Sequence, residues 1–237
     1  MKYKITKNTV QETLVIPLYG RKMCSERYPA LYRDETAIRL IDQIDYDFAA
    51  LEKKSGGLMQ RFGVLEAAMR QTDLAFEVRD YLKTHPNAAV VNLGCGLDDT
   101  AWFSRIDTSG GAVFFAACVF YYFLKEQVRA LVQQMAEAFP GGVLVFDAAN
   151  EKAVRLMLKT WIKDAAIQDV GAYFAVADAR CELSAWDSRL HVSSRGYMLG
   201  YNDLKDPSVS GFFRFLSRIG DNRMNMQIVK IGFGDRR

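Results

Sequence analysis

The chain has 237 residues, half of them hydrophobic and a quarter charged, with 31 Lys+Arg against 28 Asp+Glu. That profile fits one or two globular domains and excludes a disordered or fibrous chain. A net charge of +3 with no dense basic tract lacks the electrostatic footprint of a dedicated nucleic-acid binder, so no nucleic-acid partner is expected. The longest apolar run, residues 111–124, is 14 residues, short of the roughly 20 that a spanning helix needs, so no membrane partner is expected either.

In chain order, the N-terminal MKYKITKNTVQETL has no apolar h-region, and no secretory leader is expected. Residues 8–84 read as helical, with Ile38, Leu40, Ile41 and Ile44 among charges and Leu65, Ala68, Met69, Leu74, Phe76 and Leu82 at mixed three and four spacing; Ser55-Gly56-Gly57 breaks the run. From Ala88 the texture changes to short Val- and Phe-rich segments alternating with helical ones: AAVVNL, GAVFFAA, GGVLVFDAA, VGAYFAV and HVSSRGYMLGY. That is an α/β pattern. In KEQVRALVQQMAEAFPGG, the residues Val128, Leu131, Val132, Met135 and Phe139 mark one helical face, ended by Pro140-Gly141-Gly142. The C-terminal third reads strand, helix, strand, and a closing antiparallel pair suits it. The expected division is 1–84, a helical cap with lead-in helices, and 85–237, the α/β core, integrated as one domain. Cys24, Cys95, Cys118 and Cys181 have no CxxC spacing and read as free thiols of a reducing cytoplasm.

The stretch with chemical content is VVNLGCGLDD, residues 90–99: a buried strand emptying into a glycine turn and then two acids. Gly94 and Gly96 allow a sharp turn and close approach of a ligand at the carboxyl end of a parallel strand. A tight turn with no ligand is the plainer reading of a lone GxG. Asp99 stands where a dinucleotide fingerprint needs a small residue, and carboxylates repel a pyrophosphate, so a nicotinamide oxidoreductase is disfavoured. Asp98 and Asp99 suit a cationic ligand such as S-adenosylmethionine, or they cap a following helix. No metal cluster is evident. Of the two histidines, His85 lies in a THPN turn and His191 opens a strand, and each reads as structural more readily than as a base.

VVNLGCGLDD, preceded by THPNAA and followed by GAVFFAACVFYYF and FPGGVLVFDAAN, resembles the S-adenosylmethionine-dependent O-methyltransferases of the leucine carboxyl methyltransferase and tetracenomycin polyketide O-methyltransferase group. VQETLVIPLYGRK and IDQIDYDF resemble the helical cap of the bacterial members. The resemblance implies a doubly wound Rossmann-like methyltransferase sheet with an N-terminal helical cap and a C-terminal antiparallel strand pair. It implies S-adenosylmethionine as cofactor and a methyl transfer to a hydroxyl or carboxylate of a small metabolite. Gly94, Gly96 and Asp98 would form the cofactor loop. Arg70 would hold the methionine carboxylate, with Lys22 a second candidate; a solvated helix arginine is the plainer reading of Arg70. Ala117 and Cys118, where many relatives carry Glu-Gly, would lie beside the cofactor, and Tyr121 and Tyr122 near the acceptor pocket, unless those tyrosines are simply core. The resemblance names no catalytic base, and in-line displacement at a sulfonium gains much of its acceleration from positioning alone.

One element is missing. Between Leu93 and Ala112 lie 18 residues, whereas one βαβ unit takes about 30 or more, so strands two and three of such a sheet do not fit. Relative to the family, the sequence jumps at about Thr100-Ala101. Two explanations stand: the molecule carries residues here that this sequence does not, or the chain is a truncated relative, in which case a catalytically silent binding protein is the alternative to an enzyme. An intact mass above 26.8 kDa decides for the first. Removal of the two strands predicts that VVNL becomes an exposed sheet edge.

Overall fold

The computed structural model describes residues 2–54, 57–95, 106–163, 170–201 and 204–234. Gly96, Asp98, Asp99 and the Thr100-Ala101 junction lie outside the described residues. The N-terminal part runs β1 (Tyr3–Lys4), α1 (Val10–Thr13), α2 (Val15–Arg27), α3 (Glu35–Asp42), β2 (Ile44–Asp45), α4 (Ala49–Lys54) and α5 (Leu58–Thr84). β1 and β2 make a short parallel pair that the helical reading of the sequence did not foresee. The Asp34 carboxylate caps α3 by accepting from the Ala37 N–H at 2.8 Å. The core follows as β3 (Ala89–Asn92), β4 (Ala112–Ala116), α6 (Lys125–Ala138), β5 (Val143–Ala148), α7 (Glu151–Met157), α8 (Ala179–Ser184), β6 (Leu190–Gly196), α9 (Gly211–Arg223) and β7 (Gln227–Phe233). A π-helical stretch, Leu158–Lys163, prolongs α7.

The five core strands form one doubly wound sheet in the order β3-β4-β5-β7-β6. β3, β4 and β5 are parallel, and β7 enters antiparallel between β5 and β6. This is the expected sheet with its second and third strands gone: among the described residues no strand lies outside β3. Alternation along the strands sorts the core into two layers. Phe114, Leu144 and Phe146 pack with Val132, Met135, Phe174, Leu183 and Trp186 on one face. Val113, Val143 and Val145 pack with Leu65, Met69, Tyr197 and Phe213 on the other, against α5 and α9. β5 is buried at every position, as a central strand covered on both faces must be.

Two expectations need correction. VGAYFAV does not form a strand; residues 170–176 run irregularly across the carboxyl ends of the sheet. Its backbone N–H groups are satisfied one at a time, Tyr173 on the Tyr121 carbonyl at 2.7 Å and Val176 on the Ala149 carbonyl at 2.9 Å. Phe174 and Val176 are buried there, and this burial, rather than a ladder, accounts for the apolar pattern. The second correction concerns the N-terminal run, which is broken between α2 and α3, where Tyr28 is buried.

The exposed edge is present. Val90 on β3 is 46% accessible, and residues 86–94 carry no charge that would discourage pairing with another chain. Val90→Lys is expected to suppress concentration-dependent self-association in light scattering while leaving Tm within about 2 °C, because an exposed position contributes little to stability.

Candidate active site

The carboxyl ends of β4 and β5 point at the middle of α5. Asp147 shares the face of Val143 and Val145 by the two-residue period of β5 and is buried there. Arg70 on α5 is buried opposite it, with Nη1 3.6 Å from Asp147 Oδ2. One turn earlier on α5 lies Glu66, whose Oε1 is 3.8 Å from the same Nη1 and accepts from the Tyr197 hydroxyl at 3.3 Å. Asp147 is fixed from the other side, since its Oδ1 accepts the Cys118 N–H at 2.6 Å. Two acids surround one base, so with both carboxylates ionised the cluster carries one excess negative charge.

Burial disfavours the Arg70 charge, but the negative groups around it outweigh burial and its pKa sits above the ordinary guanidinium range. Burial pushes the Glu66 carboxyl above the usual carboxylate range, against the pull of Arg70 and the Tyr197 hydroxyl. It also pushes the Cys118 thiol up, so this cysteine is protonated at neutral pH and is no nucleophile. Neither carboxylate lies within hydrogen-bonding distance of Arg70, and among the described residues its guanidinium has no hydrogen-bond partner. Its donors are therefore available to a ligand.

Arg70 opens on a cavity of about 100 Å3 bounded by Thr13 and Tyr19 of the cap, Gly63 and Ala67 of α5, Cys118 and Tyr122 after β4, and Thr160 and Ile162 of the π-helical stretch. A second cavity of about 240 Å3 lies toward α9 and is bounded by Tyr121, Ala149, Tyr197 and several methionines. Glu66, Met157 and Thr160 line both. A π-helical stretch at such a wall is a common feature of functional sites.

The sequence-derived residues are distributed over this geometry unequally. Arg70 is buried and paired, not solvated. Tyr122 lines the first cavity, its hydroxyl donating to Thr13 Oγ1 at 3.0 Å, and Tyr121 lines the second. Ala117 is half-buried beside the α5-side core. Lys22 pairs with Glu26 one turn along α2, at 3.2 Å, and lines neither cavity. Gly94 sits in a short turn after β3 with its N–H on Asn92 Oδ1 at 3.0 Å and also lines neither cavity. Sequence reasoning missed Glu66 and Asp147. A signal for Asp147 existed: it is the one acid in VLVFDAA, at the end of a buried strand.

Cys118 has φ +57°, the left-handed region where a side chain costs on the order of 1–3 kcal/mol. The backbone at this position thus favours glycine, the residue that the resemblance implies there. Cys118→Gly is expected to gain up to about 1 kcal/mol, and Cys118→Val to lose more than 1 kcal/mol, because β-branching worsens the strain; urea denaturation of the two variants measures the pair.

No family model matches the chain. A 93-residue stretch, 39% of the chain, is 30% identical to the tetracenomycin polyketide synthesis O-methyltransferase TcmP of Streptomyces glaucescens. The chain is similar to a polyketide O-methyltransferase. The match spans 32% of that relative's length. Among solved structures, a DUF574 family protein from Streptomyces avermitilis superposes with a TM-score of 0.54 at 7% identity, covering 91% of this chain and 97% of that one. That likeness is one of fold alone. Among the described residues no helix is long and apolar enough to cross a membrane, and no group of three His, Cys, Asp or Glu residues is placed to hold a metal ion.

Proposed function

We propose that the protein is an S-adenosylmethionine-dependent O-methyltransferase acting on a small, polyketide-like metabolite. The observation that carries this reading is Arg70: a buried guanidinium with uncommitted donors, opening on a cavity at the carboxyl end of parallel strands. A fork of this kind suits a carboxylate. Glu66 and Asp147 beside it suit an α-ammonium and a sulfonium, so the cluster matches a ligand with one carboxylate and two positive centres. The methionine end of the cofactor therefore fits the residues present, with Arg70 holding its carboxylate. Gly94, Gly96 and Asp98 are assigned to the cofactor loop, as the resemblance implies, and Ala117 to the cofactor's flank. The acid that would grip the ribose from a second strand has no counterpart on any described strand.

When bound, the cofactor supplies an activated methyl group: the acceptor oxygen forms a bond to the methyl carbon as the carbon–sulfur bond breaks, and the acceptor proton leaves to solvent or a nearby base. The chain's residues orient the two partners and limit water. The Tyr122–Thr13 hydrogen bond ties the cap to the segment after β4, which closes one side of the Arg70 cavity. The reading places the protein in a reducing cytoplasm, where free thiols persist.

A second reading, a catalytically silent methyltransferase-fold binding protein, is favoured by the edge position of β3 and by Ala117 in place of the family glutamate. Calorimetric titration with S-adenosylmethionine tests the first reading; a one-to-one binding heat is expected, and its absence overturns it. Where the heat is present, methyl-labelled cofactor incubated with phenols and aromatic acids separates the two: transfer supports the enzyme, and binding without transfer supports the silent relative.

A further inference from the structure

The larger cavity is not the one that Arg70 faces, and its lining is of a different kind. Of the described residues around its 240 Å3, only Glu66 is ionisable in the physiological range, and no described lysine, arginine or histidine borders it. Phe62, Tyr121 and Tyr197 supply aromatic wall, and Met59, Met157, Met224 and Met226 supply four flexible thioethers, side chains that adapt to the outline of an apolar guest. A dry cavity of about 150 Å3 with aliphatic and aromatic lining accommodates benzene, so this one has room for a fused two-ring system. Met59 and Leu156 are 39% and 38% accessible and mark its open side.

The polar end of the cavity is defined by one carboxyl group. Glu66 Oε1 is engaged by Tyr197 and lies toward Arg70, whereas among the described residues Oε2 takes no hydrogen bond. A ligand's hydroxyl can therefore donate to Oε2. A ligand's carboxylate would meet the Glu66 carboxyl, whose partner Arg70 lies on the far side of it, with no cation among the described residues of the cavity wall to compensate it, which is costly in an apolar site.

We propose that this cavity binds neutral, flat, hydroxylated aromatic molecules of about two fused rings, that Glu66 sets their orientation by accepting the hydroxyl hydrogen bond, and that the same residue excludes aromatic carboxylates. The binding stands on the cavity itself; its use as the methyl-acceptor site rests on the methyltransferase reading and narrows the acceptor to a hydroxyl. Glu66 lies on the wall shared with the Arg70 cavity, which is where an acceptor oxygen must sit to meet a donor on the other side.

The test uses the full chain, with 2-naphthol, 2-naphthoate and naphthalene as probes. In calorimetry 2-naphthol is expected to bind at least roughly tenfold more tightly than 2-naphthoate, and Glu66→Gln to shrink that ratio to about threefold or less. With methionine methyl groups carrying 13C, 2-naphthol is expected to shift the signals of Met59, Met157, Met224 and Met226 and to leave Met69 and Met135 in place. Ala153→Phe, which places a ring in the cavity, is expected to abolish these shifts. Should that variant fail to fold, the wild-type methyl map and the Glu66→Gln ratio decide. Equal or tighter binding of 2-naphthoate overturns the proposal, as do shifts confined to other methionines or no binding of 2-naphthol at all. A protein that takes 2-naphthol here and no S-adenosylmethionine overturns the methyltransferase reading alone; one that takes the cofactor and no 2-naphthol overturns only the present proposal.

Discussion

Arg70→Met is expected to destabilise the protein by about 3–5 kcal/mol, because it leaves Asp147 and Glu66 facing each other with no cation between them. For a chain of this size that is a fall in Tm of roughly 10 °C, measurable by calorimetry or circular dichroism. Arg70→Lys keeps the charge and loses the planar fork, so it should recover much of the stability and little of the cofactor affinity. The double variant Arg70→Met/Asp147→Asn should recover more than half of the loss. Asparagine can still accept the Cys118 N–H, and the buried charge is gone along with its partner. A single variant within 1 kcal/mol of wild type, by order of magnitude, contradicts the view that this arginine is the counter-charge of the cluster.

The second large effect is on pH dependence. Asp73 on α5 is buried beneath Gly200, with Oδ2 2.7 Å from Arg195 Nη1 and Oδ1 3.4 Å from the Tyr201 N–H. Gly200 has φ +40°, and any Cβ there would collide with the Asp73 carboxylate. Burial, the largest influence, pushes Asp73 from 3.8 to about 6; Arg195 and the Tyr201 N–H pull it down, and Asp221 adds to the rise. Glu77 and Lys230 also face this network, with Lys230 Nζ 3.1 Å and Arg195 Nε 3.6 Å from the Glu77 carboxylate. With the folded value above the unfolded one, the native state binds a proton that the unfolded chain has released. Stability from this source is complete below about pH 4 and is lost as pH rises through about 6. Two pH units correspond to roughly 3 kcal/mol. The stability of wild type minus that of Asp73→Asn, followed by urea denaturation from pH 4 to 7, should therefore fall with rising pH by about that amount. A flat difference shows that Arg195 keeps the carboxylate ionised throughout.

Much of the core was legible because its periodicities are clean. The face Val128, Val132 and Met135 of α6 is buried as read, and the parallel segment followed by an antiparallel pair appears with the expected order. VGAYFAV misled because apolar density reports burial, not pairing, and this segment buries Phe174 without joining a ladder. Arg70 could be placed by resemblance, but its partners could not. Glu66 is four residues upstream in a helix whose polar positions are numerous, and only the proximity of β5 distinguishes it from a solvated acid. Lys22 shows the converse: a basic residue in a suggestive segment whose chain neighbour, Glu26, satisfies it on the surface. Cys118 carried a conformational message that no side-chain chemistry could reveal, since a positive φ is a property of the backbone path between Ala117 and the aromatic run.

The position of β3 has a further consequence for how such a sheet can change length. A strand at the centre is held by two ladders, and deleting it would break both and split the two core layers. The place occupied by β3 is different: whatever is added or removed outside it touches a single ladder, while β4, β5, β6 and β7 keep every hydrogen bond they have. This flank is therefore a place where insertion or loss of whole strand–helix units is tolerated by the rest of the domain. The sheet has an edge at β6 as well as at β3, and it is the β3 edge that adjoins the glycine turn at Gly94. Lengthening or shortening at this border can alter what the turn contributes to ligand binding without changing the buried Glu66–Arg70–Asp147 cluster two strands away.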